Sequence, residues 1–183
     1  MKLFPSSIVG VSVAETRTSR DHRGAFSRLF CQNELAQAIG RRQIVQINQS
    51  KTALSGAIRG MHFQHRPHAE MKMVRCLKGL VWDVVVDLRA DSETFLQWHA
   101  EELSEENARM MIIPEGCAHG FQVLEPDSEL LYLHTASYNA DAESGVAYND
   151  PRLNIKWPLA TTDLSKRDQS HPFISPNFQG LKL

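Results

Sequence analysis

Residues 80–88 read Leu-Val-Trp-Asp-Val-Val-Val-Asp-Leu, and this stretch carries the pattern that decides the fold class. It is rich in β-branched and aromatic residues, which favour strands, and turn signals at 78–79 and 89–92 bound it. Side chains of a strand alternate between its two faces. The stretch therefore places four apolar residues on one face and two aspartates on the other: Trp82, Val84, Val86 and Leu88 against Asp83 and Asp87.

Strand-like stretches of similar composition lie on both sides of residues 80–88. The others are predicted at 26–30, 44–50, 59–64, 71–77, 101–103, 109–113 and 129–134. Asn33 can cap a short helix that ends at Gly40. Many short strands without βαβ alternation are typical of a sandwich or barrel, so we predict an all-β fold.

Length and composition limit the protein class. The 183 residues suffice for one domain with a core, and we predict a single domain over 1–183 with a surface tail at 169–183. The net charge of -1 gives no bulk attraction to nucleic acid or to an anionic membrane. No apolar run reaches membrane-helix length, and the first residues lack the apolar core of a signal peptide. The three cysteines form no CxxC pair, which indicates reduced thiols in a cytoplasmic protein.

The stretch Arg59-Gly60-Met61-His62-Phe63-Gln64 reads as a strand that carries a histidine. Imidazole titrates near neutral pH, so we predict that His62 is a proton-transfer base. A base of this kind needs a carboxylate that orients it, and Asp168 or Asp83 could serve. It also needs a positive charge for the anion that develops, which Lys72 could supply.

A metal site at His62 is disfavoured by the histidine spacing. His62, His65 and His68 are three apart and alternate faces, and the residue two positions after His62 is Gln64, a poor ligand. His119 lies in a Pro-x-Gly-x-x-His pattern that resembles half of the cupin signature. It lines a metal-free cavity or is a core histidine held by a hydrogen bond. A metal-dependent cupin and a non-catalytic sugar-binding cupin remain alternatives.

Eleven motifs together resemble the dTDP-4-dehydrorhamnose 3,5-epimerase family, a group of metal-free cupins. They occupy 21–24, 59–64, 72–76, 81–89, 92–95, 103–107, 113–121, 130–132, 149–151, 155–158 and 164–168, in the family's order. The resemblance implies a cupin-type jelly-roll barrel and a homodimer whose N-terminal strands cross to the partner. It also implies that the enzyme uses neither a metal nor another cofactor.

The resemblance implies roles for four catalytic residues. His62 would remove a proton beside a C4 ketone, and Asp168 would pair with it. Lys72 would stabilise the enolate oxygen, and Tyr132 would return a proton from the opposite side. Arg23 and Arg59 would hold the diphosphate, and the implied substrate-binding set is Arg23, Phe26, Arg28, Gln46, Asn48, Arg59, His119, Tyr138 and Glu143.

The implied substrate is a nucleotide-diphosphate 4-keto-6-deoxyhexose, inverted at C3 and/or C5 during deoxysugar biosynthesis for surface polysaccharides. Three positions depart from the family pattern: Arg28 replaces a usual glutamate, Glu70 a usual glutamine and Cys117 a usual phenylalanine. The catalytic positions match, whereas a nucleotide-contacting position differs. An epimerase that inverts only C3 or only C5 of a GDP-, CDP- or UDP-linked sugar is therefore the alternative.

Overall fold

The computed structural model describes residues 1–183 and contains thirteen strands and two short helices. The strands are β1 Lys2–Pro5, β2 Ser12–Glu15, β3 Thr18–Asp21, β4 Gly24–Ser27, β5 Gln46–Thr52, β6 Ile58–Gln64, β7 Lys72–Lys78, β8 Leu80–Asp87, β9 Trp98–Ser104, β10 Arg109–Ile113, β11 Cys117–Val123, β12 Ser128–His134 and β13 Glu143–Gly145. The helices are α1 Ala36–Ile39 and α2 Lys166–Gln169. Each helix has four residues, so neither could span a membrane.

Eleven of the strands form two antiparallel sheets that face each other. The six-stranded sheet has the order β1-β2-β10-β7-β12-β5, and the five-stranded sheet has the order β13-β6-β11-β8-β9. Strands β3 and β4 form a separate hairpin that pairs with neither sheet. The arrangement confirms the predicted all-β, jelly-roll fold.

The space between the sheets is apolar at one end and polar at the other. The apolar part is a cluster of 13 buried residues from both sheets, among them Val74, Val85 and Phe121. Inward-facing positions on the same strands are polar elsewhere, as at Lys72 on β7 and His119 on β11. The alternation of the strands therefore builds a core and a polar cavity from the same elements.

Both outer faces of the sandwich are covered, so β8 is buried on both sides. The two aspartates of β8 were predicted on the face opposite Val84 and Val86. Asp83 and Asp87 do lie on that face, which is the inner one that also carries Val85, and both are 0% exposed. Residues 169–183 are mostly exposed, and Ile174, Phe178 and Leu181 anchor the segment on the five-stranded sheet. The outer face of the six-stranded sheet packs against α1 and the residues around it.

Two local predictions at the N-terminal side are wrong. Asn33 does not cap α1, which begins at Ala36 after Leu35 without any side-chain cap. The strand predicted at 26–30 ends at Ser27, because β4 only needs to match the four residues of β3 in the hairpin. Gly40 does end the helix, with a positive φ of 61°.

Candidate active site

A cavity of about 590 Å³ opens at the polar end of the sandwich. Residues from both sheets and from the loop after β12 line it. It brings together eight of the residues predicted for the site: Asn48, Arg59, His62, Lys72, His119, Tyr132, Tyr138 and Glu143. Ser50, on the same face of β5 as Asn48, also lines it, so this polar face contributes to the wall of the cavity.

His62 and Asp168 form a hydrogen-bonded pair on one wall. His62 Nε2 lies 2.8 Å from Asp168 Oδ1, and the backbone N–H of Gly60 donates to Oδ2 over 3.3 Å. Burial raises the pKa of Asp168, but the hydrogen bonds from His62 and Gly60 outweigh it, so that the pKa is lowered. Asp168 is thus a carboxylate that holds the Nε2 proton of His62, which leaves the Nδ1 lone pair free.

Two glycines allow the histidine-bearing strands to approach closely. A Cβ on Gly60, where φ is +135°, would lie 2.5 Å from the Cα of Gly120 on β11. Any side chain at Gly60 would therefore push β6 away from β11. The register across this contact pairs His62 with His119, so the close approach sets the positions of both rings.

Tyr132 lies on β12 of the six-stranded sheet, whereas His62 lies on β6 of the five-stranded sheet. The two side chains thus reach the cavity from opposite walls. Ser50 Oγ donates to the Tyr132 hydroxyl over 3.5 Å. Burial raises the pKa of Tyr132, so the phenol stays protonated and can give a proton to an anion in the cavity.

His119 pairs with Asp83, so Asp168 and not Asp83 is the carboxylate that orients His62. His119 Nε2 lies 2.7 Å from Asp83 Oδ1, and both residues are buried. Burial raises the pKa of Asp83, and its bond to His119 opposes that rise. The ring of His119 also packs edge-on against Tyr132, with centroids 6.1 Å apart. His119 is therefore both a hydrogen-bonded core residue and part of the cavity floor.

Lys72 points into the cavity, where it meets a carboxylate that the sequence did not assign to the site. Glu70 Oε1 lies 3.3 Å from Lys72 Nζ, and Glu70 Oε2 lies 2.6 Å from His134 Nδ1. Burial raises the pKa of Glu70, but His134 and Lys72 together outweigh it, so the pKa is lowered overall and Glu70 stays charged. The sequence showed only that Glu70 replaces a usual glutamine, which identified neither His134 nor Lys72 as its partner.

Polar contacts between loops and strands define the rim of the cavity. The Tyr138 hydroxyl donates to Glu143 Oε2 over 2.9 Å, and Arg167 Nη1 donates to the same oxygen over 2.7 Å. Gln46 lies beside the rim, where its side-chain oxygen accepts from the Tyr138 N–H. Arg167 was not predicted for the site, although its neighbour Asp168 was.

Three predicted substrate-binding residues do not reach the cavity of their own chain. Arg23 lies at the tip of the β3–β4 hairpin and pairs with Asp21. Phe26 is 74% exposed on the same hairpin. Arg28 follows the hairpin and pairs with Glu34.

One group of side chains has the composition of a metal site. Ligand atoms of His62, Asp168 and His171 lie within 4.8 Å of one another. Arg167 Nη2 lies 3.5 Å from His62 Nε2, so a guanidinium charge already occupies the neighbourhood and opposes a bound cation. The 2.8 Å bond between His62 and Asp168 suits a shared proton.

Comparison with known proteins places the chain among sugar-nucleotide epimerases. The sequence profile described as dTDP-4-dehydrorhamnose 3,5-epimerase matches residues 5–175. The protein of that name from Sinorhizobium fredii is 40% identical over 181 residues, covering 97% of this chain and 93% of the relative. A dTDP-4-dehydrorhamnose 3-epimerase from Streptomyces niveus is 38% identical over 170 residues, covering 92% of this chain and 82% of the relative.

A solved structure from Legionella pneumophila has the same fold. It is a dTDP-6-deoxy-D-glucose-3,5-epimerase in complex with dTDP-4-keto-L-rhamnose. It superposes with a TM-score of 0.90 at 35% identity and covers 94% of this chain and 92% of its own. The fold, the cavity and these relatives define the chain as an epimerase of the jelly-roll class. It belongs to the dTDP-4-dehydrorhamnose 3,5-epimerase family, as the motifs predicted.

Proposed function

We propose that this protein inverts C3 and C5 of dTDP-4-dehydro-6-deoxyglucose by removing and returning protons beside its C4 ketone. The observation that carries the proposal is the opposition of the His62–Asp168 pair and Tyr132 across one cavity. The names of the relatives, and the ligand bound to the Legionella enzyme, support a dTDP-linked substrate.

The His62–Asp168 pair removes the proton. A carbon beside a ketone is acidic only when the resulting enolate is stabilised. His62 Nδ1 takes the proton, and the buried carboxylate of Asp168, 2.8 Å from Nε2, stabilises the imidazolium that forms. Lys72 Nζ stabilises the enolate oxygen from the cavity wall, and Glu70 holds that ammonium in place.

Tyr132 returns a proton to the other face of the ring. The enolate is planar at the reacting carbon, so protonation from the wall opposite His62 inverts the centre. The raised pKa keeps the Tyr132 proton available until the enolate accepts it. Solvent then removes the proton from His62 and restores the one on Tyr132, so that the enzyme is unchanged after each inversion.

We infer that a second copy of the chain completes the cavity. The β3–β4 hairpin pairs with neither sheet and exposes Arg23 and Phe26, residues with no role in their own monomer's cavity. The cavity opens beside β5, an edge strand on which Ile47 is 61% exposed. A partner's hairpin could bring a second arginine to this edge, where it would join Arg59 at the diphosphate.

Deuterium incorporation tests the base. In D₂O the parent should place deuterium at C3 and C5 of the substrate, and His62→Ala should slow this by at least about 100-fold. His65→Ala is the matched control, because His65 lies on the exposed loop directly after the same strand and should keep the parental rate. Parental exchange by His62→Ala would show that another group is the base.

A 3-epimerase is the second candidate, because the Streptomyces niveus relative of that name is nearly as similar as the 3,5-epimerases. Site-resolved NMR of the exchanged product separates the two, since a 3-epimerase inverts C3 alone. The same assay with GDP-, CDP- and UDP-linked 4-keto sugars tests whether Arg28, in place of a usual glutamate, changes the accepted base.

The three cysteines support a reducing location. None forms a disulfide, and Cys76 and Cys117 are buried, as expected of thiols in the cytoplasm. We therefore expect the enzyme to work in the cytoplasm.

A further inference from the structure

His171 follows α2 and touches both members of the His62–Asp168 pair. Its ring lies edge-on to the His62 ring, with centroids 5.4 Å apart and an interplanar angle of 73°. Its Nε2 lies 3.7 Å from Asp168 Oδ1, too far for a hydrogen bond. This imidazole therefore contacts the proposed base from the side that faces away from the substrate cavity, since it lines a different cavity with Phe173.

Gly145 provides the space that the His171 ring occupies. The register of β13 and β6 places Gly145 directly opposite His62. A Cβ built on Gly145 would lie 2.5 Å from His171 Nε2 and 2.7 Å from its Cδ2. The His171 ring therefore fills the volume that any side chain at position 145 would need.

His171 acts through its shape because its surroundings keep it neutral. Burial is the largest cause that lowers its pKa, and His62 and Arg167 lower it further. The carboxylates of Asp168 and Glu143 oppose these effects by raising the pKa of His171. A further carboxylate, Asp163, lines the cavity that His171 and Phe173 share. A neutral ring does not compete as a cation with His62 for Asp168.

The His62 side chain needs such a wall. It is 21% exposed, and the cavity leaves one side of its ring without packing. The bond to Asp168, the guanidinium of Arg167 at 3.5 Å and the contact with His171 restrict how the ring can turn, and of these His171 supplies the ring-to-ring contact. A base that turns away from its substrate loses rate steeply, because proton transfer depends on orientation.

We propose that His171 is a positioning residue of the epimerase reaction, whose ring, seated over Gly145, holds the His62 ring against Asp168 with Nδ1 directed at the substrate. The proposal rests on the proposed role of His62 as the base. It adds a third residue to the pair, one that touches no substrate.

Substitutions at position 171 separate positioning from chemistry. His171→Ala should lower kcat about tenfold and leave KM within about twofold, because the substrate contacts remain while the base is less well oriented. His171→Phe keeps an aromatic ring in the same space and should restore kcat to within about threefold of the parent. His68→Ala, a loop histidine outside this contact, is the control and should match the parent.

A double-mutant cycle with Gly145 tests the contact itself. Gly145→Ala should lower kcat in the parent, because the new methyl group displaces the His171 ring. In the His171→Ala background the methyl group enters empty space, so the same change should have no further cost. Equal effects of Gly145→Ala in both backgrounds would overturn the proposal.

A spectroscopic signal tests the proposal even if the substrate assignment fails. The Nε2 proton that His62 shares with Asp168 should give a downfield ¹H NMR resonance that His62→Ala removes. His171→Ala should broaden or abolish it, and His171→Phe should keep it. An unchanged resonance in His171→Ala would overturn the proposal. A parent that epimerises no 4-keto sugar nucleotide would overturn the proposed function instead.

Discussion

Exposure distinguishes His62 from two other histidines that pair with carboxylates in the cavity. The side chain of His62 is 21% exposed, against 5% for His119 and 11% for His134. A general base must reach its substrate and also have an orienting partner. His62 best combines the two, which is why the chemistry is assigned to it rather than to the better-buried pairs.

Asparagine at Asp168 should impair both catalysis and stability. An amide cannot neutralise the imidazolium form of His62, so exchange should fall at least about 100-fold at neutral pH. Although burial opposes it, hydrogen bonding holds the pKa of Asp168 below its ordinary value. The contribution of the Asp168 carboxylate to the free energy of unfolding is therefore fully present above the unfolded pKa of about 3.9. It is lost as the pH falls through the folded pKa.

Urea denaturation of Asp168→Asn at two pH values measures this. We expect a loss of about 1–2 kcal/mol in the free energy of unfolding at pH 7 and a smaller loss at pH 3. Asp163→Asn removes an exposed carboxylate from the loop just before α2 and should change the free energy of unfolding little at either pH. An equal loss from Asp168→Asn at both pH values would contradict the charged hydrogen-bonded role.

The residue pairs of the site were only partly predictable from the sequence. His62 and Asp168 are 106 residues apart, and the family resemblance, not spacing, selected Asp168 over Asp83. Glu70 and His134 are 64 residues apart, and neither lies in a pattern that indicates a partner. His171 lies in an irregular segment, where periodicity gives no information about which side chain it meets.

At the scale of strands and helices, alternation identified the elements but not their neighbours. Residues 80–88 and 109–113 were recognised because their apolar and β-branched content favours a strand, whichever strands they pair with. Pairing depends on contacts between distant strands, as between β2 and β10, which a local pattern cannot encode. The helix at Ala36–Ile39 began later than predicted, because its start depends on tertiary packing of Leu35 and not on a cap.

The close approach of β6 and β11 gives a test at the scale of strands. Gly60→Ala should destabilise the fold, because its Cβ would lie 2.5 Å from Gly120 Cα. Gly24→Ala is a matched control, since Gly24 has the same φ of +135° but nothing within 4 Å of the added methyl group. Urea denaturation should show a loss at least about 2 kcal/mol larger for Gly60→Ala. Equal losses would mean that backbone strain, not strand contact, explains the glycine.

The placement of the β3–β4 hairpin and the association of two chains were the features least predictable from the residues alone. The β3–β4 hairpin follows from its turn, but its exposure of Phe26 appears only once the two sheets are placed. Two copies of the chain would explain why Arg23, for which the resemblance implies a diphosphate contact, does not line the cavity of its own chain. The dimer is therefore a prediction that concerns catalysis as well as assembly.

Subunit complementation tests that prediction. Arg23→Ala and His62→Ala should each be poorly active alone, because each removes a different part of every site. After the two chains are unfolded together and refolded as a mixture, about one quarter of the sites should contain both intact residues, and activity should return in proportion. A mixture no more active than its separate components would contradict a site shared between subunits.

The opposition of His62 and Tyr132 is tested most directly by separating proton exchange from inversion. Tyr132→Phe, incubated in D₂O with dTDP-4-dehydro-6-deoxyglucose, retains the base but loses the acid on the opposite wall. We predict that NMR will show deuterium entering the sugar with its configuration retained, while inverted product forms at least about 100-fold more slowly than with the parent. Inversion by Tyr132→Phe at the parental rate would show that Tyr132 is not the acid opposite His62.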